Sequence, residues 1–316
     1  MDIQGIVGNA TSFLTMQEAD IESADLFIAV TGEDEINLLS CLIAKKSSNC
    51  QTIARVRNPE YFKELAYLKH CLGLTTTINP EYAAAKEIAH LIQVPDAMEI
   101  DTFAKGRVDL LRVAISENSP LHNMKVIEFS RRFGHDILIC ILVHDHKVTI
   151  PNGETVLQAG DTISVILPKE KINAFYRATK LSSIKEIRDV IIAGGGTISY
   201  YLATILQQSG IHVKIIERTR ERCDFLSLAL PDATIIYADA TDHEVLLEEG
   251  LANTDAFVAL TNMDEENVFL SLYANKIDPR SKKIVKINRI ALNEIIDDLP
   301  VGSIISPKNI TAEYIL

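Results

Sequence analysis

The 316-residue sequence predicts an α/β chain: doubly wound parallel sheets in tandem, with a small α+β lobe between them. Three observations carry this. A short β-branched run at 190–193 ends in a glycine triplet and leads into a helical stretch. The segment 8–46 recurs without a gap as 238–276. Between the two copies, residues 106–180 abandon strand–helix alternation for closely spaced strands. Strands alternating with helices bury both faces of a parallel sheet, so such strands read as continuous apolar runs.

The run Val190, Ile191, Ile192, Ala193 has that character, and it stops at Gly194-Gly195-Gly196. Gly194 permits the tight turn and Gly196 lets the backbone approach a pyrophosphate. A helix over 197–207 then sets its free N–H groups beneath the anion. A second strand, 213–216, ends at Glu217, at the spacing of a ribose-binding acid, which favours NAD(H). Arg218 beside it can pair with a 2′-phosphate and leaves NADP(H) open. Ser199 stands where G-x-G-x-x-G has its third glycine, and it is small enough for helix and strand to pack closely. The pattern is that of a Rossmann-like nucleotide site.

The repeat is exact at many positions: Glu18 with Glu248, Asp25 with Asp255, Phe27 with Phe257, Thr31 with Thr261, Asp34 with Asp264, Glu35 with Glu265, Asn37 with Asn267. In each copy a helix carrying Glu18 or Glu248 leads to a buried strand, 24–30 or 254–260, ending in Thr and an acidic loop. A helix from Asn37 or Asn267 follows, then a strand at 52–57 or 283–288. Residues 77–80 parallel 304–307 ahead of a further helix.

The copies differ in what precedes them. Strand, glycine loop, helix and second strand fill 186–237 before the second copy, whereas only residues 2–7 precede Gly8. The expectation is a first sheet that starts at its third strand, lacks a phosphate loop and exposes apolar edges. The helix after Pro307 ends at Leu316, while the first copy runs on past Pro80 to Ile92. The reading is therefore of a longer tandem protein cut at both ends, the alternative being a natural short form completed by another chain. Domain limits are set at 1–104 for the incomplete first Rossmann-like domain with its crossover helix, 105–185 for the lobe, and 186–316 for the second domain, also ending in a crossover helix.

Within the lobe the pattern gives a strand at 107–115, a turn at Ser119-Pro120, and a helix over 123–133 whose Met124, Ile127 and Phe129 face a core. Strands at 136–144 and 162–167 follow, with a hairpin tip at Asp145-His146, turn chemistry at Pro151-Asn152-Gly153, and a short helix at 170–178. His144-x-His146 shares a strand face, but no third ligand is suitably spaced, and the pair reads as a solvated hairpin tip rather than a metal site.

Composition limits the partners. A formal net charge of −12 argues against nucleic acid and anionic lipid surfaces. Five scattered cysteines without C-x-x-C spacing give no disulfide framework. No run approaches the roughly 20 apolar residues of a membrane helix.

Taken together, these residues resemble the TrkA family of Trk-type potassium-uptake regulators, built of tandem RCK domains. The most specific stretches are IIAGGGTISYYLA with IIE, then YADATD and DAFVALTNMDEENVFLSLYA, the latter half repeated in NATSFLTMQEADIESADLFIAVTGEDEINLLSCLIAK. VDLLRVAISENSPLHNMKV with PNGETVLQAGDTISVI looks like the family's small C-terminal lobe. The resemblance implies RCK N-type domains flanking an RCK C-type lobe. It places NAD(H), or ATP/ADP, over Gly194, Gly196 and the amides of Thr197 and Ile198, with the ribose on Glu217. Asp239 and Ala240 would edge the adenine, and Thr261 would face the crevice. Asn9, Ala10 and Thr31 are the first-repeat counterparts, Asn9 replacing the acid.

The resemblance further implies a non-catalytic, cytoplasmic homo-oligomer of RCK domains. That ring would dock at the inner face of the plasma membrane beneath a potassium-translocating subunit, with nucleotide as regulator. Two other classes fit the same crevice. An NAD-dependent oxidoreductase would need an acid–base and a substrate clamp, which His243, His212 and the lobe do not supply. A structural assembly module that has lost its ligand is suggested by Ser199 and the missing first loop.

Overall fold

The computed structural model describes residues 3–93, 99–103, 108–134, 136–144, 147–168, 171–179, 187–289, 296 and 299–315. The first repeat holds α1 (Phe13–Glu18), β1 (Leu26–Ala29), α2 (Asp34–Ser47), β2 (Gln51–Arg55), α3 (Pro59–Lys63), α4 (Leu65–Leu72), β3 (Thr76–Ile78) and α5 (Pro80–Gln93). The lobe holds β4 (Glu99–Phe103), β5 (Val108–Ala114), α6 (Val126–Phe133), β6 (Leu138–His144), β7 (Lys147–Thr149), β8 (Thr162–Pro168) and α7 (Ile172–Thr179). The second repeat holds β9 (Asp189–Ala193), α8 (Thr197–Gln208), β10 (His212–Glu217), α9 (Arg220–Ala229), β11 (Thr234–Tyr237) and α10 (His243–Glu248). It continues with β12 (Ala256–Ala259), α11 (Asp264–Ile277), β13 (Lys282–Lys286), β14 (Ser303–Ile305) and α12 (Pro307–Ile315).

Two compact units result, one of residues 1–86, 196–202 and 306–316, the other of residues 87–195 and 203–305. In the second, a six-stranded parallel sheet runs β11-β10-β9-β12-β13-β14. Numbered within the domain this is the order 3-2-1-4-5-6, the doubly wound Rossmann arrangement, which reverses direction between β9 and β12. Both faces are covered, and every residue of β12 is buried. Ile191, Ala193, Phe257, Ala259 and Val285 join Leu246 and Leu270 in one core.

The same unit contains a five-stranded antiparallel sheet, β4-β5-β8-β6-β7. This sheet takes in β4, whose strand starts at Glu99, ahead of the limit of 105 read from the sequence. Phe129, Phe133 and Phe175 of α6 and α7 meet at centroid distances of 4.9 to 6.1 Å over Leu111, Ile139 and Val165. Helix α6 begins at Val126, later than expected, because Asn123 takes a left-handed conformation at φ 63°. His144 bonds the buried Asp161 carboxylate at 2.5 Å. His146 lies outside the described residues, and no group of three His, Cys, Asp or Glu among the described residues is arranged to hold a metal.

The first unit carries a three-stranded parallel sheet, β1-β2-β3. A sheet starting at its third strand would place that strand ahead of Gly8. The described residues 3–7 form no strand, and Ile3 and Val7 are exposed. Strand β1, the counterpart of β12, is an edge of this sheet, with no described strand in the place that β9 takes beside β12. Leu26 and Ile28 are 46% and 40% exposed, while their repeat partners Ala256 and Val258 are fully buried against β9.

Both copies start their long helix three residues before the expected Asn, at Asp34 and Asp264, where acidic side chains complement the free N–H groups and dipole of the first turn. Asp34 Oδ2 accepts the backbone N–H groups of Arg57 and Asn58, both at 2.7 Å. Asp264 accepts those of Asn288 and Arg289, both at 3.0 Å. Asn37 and Asn267 act as identical buried struts. Asn267 Oδ1 accepts the Thr261 N–H at 2.8 Å, and Nδ2 donates to the carbonyls of Thr261 and Lys286. Asn37 does the same for Thr31 and Arg55.

Helix α5 starts at Pro80, whose missing N–H costs nothing at the first helical position, and Asn79 caps it by accepting the Tyr82 N–H at 2.8 Å. Asn79 Nδ2 donates to the Tyr201 hydroxyl at 3.0 Å, which itself donates to the Arg57 carbonyl at 2.9 Å. Burial pushes the Tyr201 phenol up to about 12.

The Asn267 strut gives a direct test. Removing it orphans a buried N–H and two carbonyls, each worth about 1–3 kcal/mol when unmet, so Asn267→Ala should lower the unfolding free energy by about 2–4 kcal/mol. Urea denaturation measures this, and a loss below about 1 kcal/mol contradicts the assignment.

Candidate nucleotide-binding site

Strand β9 ends at Ala193 beside β12, and the loop Gly194–Gly196 leaves the sheet at the reversal of strand order, where open α/β sheets bind ligands. The three glycines do different things. Gly194 has φ +98°, and a Cβ there would stand 2.9 Å from the Leu260 carbonyl oxygen and 3.0 Å from the Thr261 nitrogen. Gly195 has no room because a Cβ would meet Leu226 at 2.7 Å and Glu217 at 3.0 Å. Around Gly196 a Cβ would find no atom within 4 Å, so this residue alone borders open space. Helix α8 begins immediately afterwards at Thr197, its first turn closing with the Tyr200 N–H on the Gly196 carbonyl at 3.1 Å. The N–H groups of Thr197 and Ile198 lie in that first turn, without intrahelical acceptors, as an anion site requires. Ser199 is fully buried.

Glu217 closes β10 and faces the loop. Its Oε2 accepts the Gly195 N–H at 2.7 Å and its Oε1 the Thr219 N–H at 2.7 Å, which fixes the carboxylate beside the loop. Arg218 leans toward Glu266, with 3.9 Å between charged atoms, and is largely exposed. The Ala238 N–H donates to the Glu217 carbonyl at 3.1 Å, bringing the turn after β11 alongside. There Asp239 Oδ1 accepts the Thr241 N–H at 2.9 Å and hydroxyl at 2.8 Å, bonds that hold its carboxyl below the usual range. Asn9 makes the same two bonds to Thr11, at 2.9 and 2.8 Å. An amide therefore forms this turn as well as an acid does, and what Asp239 adds is charge. The Ala240 side chain is buried in the core beside Ile216, so its backbone is what it offers a ligand. Thr261 sits behind Gly194, its N–H held by Asn267 and its hydroxyl donating to the Met263 carbonyl at 3.2 Å.

Gly194, Glu217 and Thr261 thus converge on one loop, with Asp239 on the adjoining strand end. Two participants went unassigned in the sequence. Gly195 was visible only as the middle of a triplet, and Arg222, whose Nε donates to the Gly195 carbonyl at 2.6 Å, lies in no motif. His243 stacks face to face on Tyr273 at 3.8 Å, and His212 pairs with Asp189 at the start of its strand.

The TrkA-N domain matches residues 1–80 and 190–307, and the TrkA-C domain matches residues 110–180. The Trk system potassium uptake protein TrkA homolog of Archaeoglobus fulgidus is 34% identical over 311 residues, covering 98% of this chain and 70% of its own length. The chain belongs to the TrkA family. The Trk system potassium uptake protein TrkA of Haemophilus influenzae is 31% identical over 319 residues, with 100% of this chain and 69% of that protein covered. Among solved structures the GsuK channel superposes with a TM-score of 0.71 at 18% identity over 98% of this chain, which spans 54% of the channel's. The GsuK channel bound to NAD gives 0.69, and the form bound to ADP gives 0.59. These likenesses show a shared fold. The TrkA-N matches coincide with the two repeats, and the TrkA-C match with the antiparallel lobe.

The glycine geometry separates stability from binding. Gly194→Ala and Gly195→Ala should each lower the melting temperature by several degrees, whereas Gly196→Ala should leave stability within about 0.5 kcal/mol of the wild type. Calorimetry on the three variants decides, and equal destabilisation by all three contradicts the assignment of the open face to Gly196.

Proposed function

We propose that this chain regulates potassium uptake by sensing an adenine nucleotide at the loop of Gly194, Gly195 and Gly196. As a TrkA-family member it is a regulatory subunit of a potassium transport system. The observation that carries the nucleotide reading is the loop itself, open only at Gly196 and flanked by a fixed Glu217 carboxylate at the point where the sheet reverses. Phosphates fit over Gly196, Thr197 and Ile198. The ribose hydroxyls fit Glu217, and the adenine edge fits Asp239 and the Ala240 backbone. NAD(H) is the preferred ligand because an acid, not a base, ends β10, with ADP or ATP sharing the same adenosine half. Ligand-bound forms of the GsuK channel, one with NAD and one with ADP, support both classes.

The reading includes a homo-oligomer of RCK domains on the cytoplasmic side of the membrane, coupled to a potassium-translocating partner. No helix among the described residues is long and apolar enough to cross a membrane. The nucleotide is a regulator, not a reactant, on this account. A ligand shifts an assembly only by binding one arrangement better than another, and a tenfold bias needs about 1.4 kcal/mol, within reach of one or two phosphate or ribose contacts.

Fluorescence titration of the full chain with NADH, with ADP as competitor, tests the binding step. Saturable binding that weakens at least tenfold in Gly196→Asp, with an unchanged circular dichroism spectrum, is the expected result. Absence of binding by either nucleotide contradicts the sensor. In cells, potassium uptake supported by the full-length gene should change at least twofold on Gly196→Asp, and unchanged uptake counts against the transport role.

A further inference from the structure

We propose that Arg222 is a positioning residue for the phosphate loop: it holds the peptide between Gly195 and Gly196 so that the Gly196 N–H is aimed at the nucleotide's phosphates. The proposal rests on the nucleotide reading above. Gly195 is gripped at both ends, its N–H by Glu217 Oε2 at 2.7 Å and its carbonyl oxygen by Arg222 Nε at 2.6 Å. No cis peptide occurs among the described residues, and in a planar trans peptide the C=O and N–H point in opposite directions. Drawing the Gly195 carbonyl toward α9 therefore turns the Gly196 N–H away from α9, at the loop residue that borders open space.

This constraint matters because both neighbours are glycines. Without a Cβ on either side, the 195–196 peptide flips at little steric cost, and the flipped form presents a carbonyl dipole to the phosphates. A charged donor on a helix opposes that flip more strongly than a neutral one. Arg222 is well held for the task. It stands in the first turn of α9, and its guanidinium lies 4.6 Å from the centre of the Phe225 ring. The other two arginines nearby are committed elsewhere: Arg218 leans toward Glu266, and Arg220 pairs with Asp224 at 3.4 Å and lies over Tyr237. Arg222 also adds positive charge beside the loop, in a chain whose formal charge is −12.

The test compares ligands with and without phosphate on the full chain. Arg222→Met keeps an unbranched apolar stem at this position and removes the donor. It should raise the dissociation constant for ADP about tenfold and leave that for adenosine within about twofold, while Arg222→Lys recovers most of the ADP affinity. Equal weakening of ADP and adenosine, or no weakening of ADP, overturns the positioning role. Should Arg222→Met fail to fold, Arg222→Leu carries the same comparison: an ADP-selective loss of threefold or more supports the role, and an equal loss of both ligands, or none, overturns it. Failure of the wild type to bind ADP or NADH is a different result, and it removes the nucleotide reading itself.

Discussion

The pairing of β9 with β12 is the constraint on which the second repeat depends. It places the two strands that leave in opposite topological directions side by side, in register from Val190 with Ala256 to Ala193 with Ala259. That register buries β12 on both faces, and it presses Gly194 against the Leu260 carbonyl so closely that no side chain fits. The candidate nucleotide site is thus a by-product of strand order before it is a matter of particular side chains.

The first repeat displays the same sequence without that pairing. Asp255 accepts the N–H groups of Arg188 and Asp189 and ties β12 to β9, whereas its counterpart Asp25 is exposed. Leu26, Ile28 and Val30 are correspondingly open to solvent. The struts within the repeat survive unchanged, because Asn37 and Asn267, or Asp34 and Asp264, bond only to chain that both copies contain. Repeat identity therefore reported the local architecture well. It was silent on burial, which depends on the neighbouring strand.

The same distinction governs how much of the site was legible. Strand, glycine loop, helix and terminal acid lie close together in sequence, and their spacing led to Gly194, Gly196 and Glu217 directly. Gly195 and Arg222 were not legible, since one is defined by a clash with Leu226 and the other by a bond from a helix face to a carbonyl. Asn9 makes the same turn as Asp239, so the turn geometry itself does not require the acid. The lobe strand β4 was missed because an edge strand needs only one partner and leaves a weak apolar pattern.

A regulator of this kind works through small differences in free energy, and the loop suits that purpose. On the proposed reading, the loop backbone is already set by the bonds of Glu217 and Arg222 to Gly195, so nucleotide binding costs little reorganisation and its contacts remain free to bias one arrangement of the protein over another. The most direct measurement is an ADP titration of the chain labelled with 15N-glycine, followed by NMR. The account predicts that among its 14 glycines the amides of Gly194, Gly195 and Gly196 shift most, while Gly5, Gly8 and Gly32 of the first repeat stay in place. Shifts confined to the first repeat or the lobe, with the triplet unmoved, would contradict it.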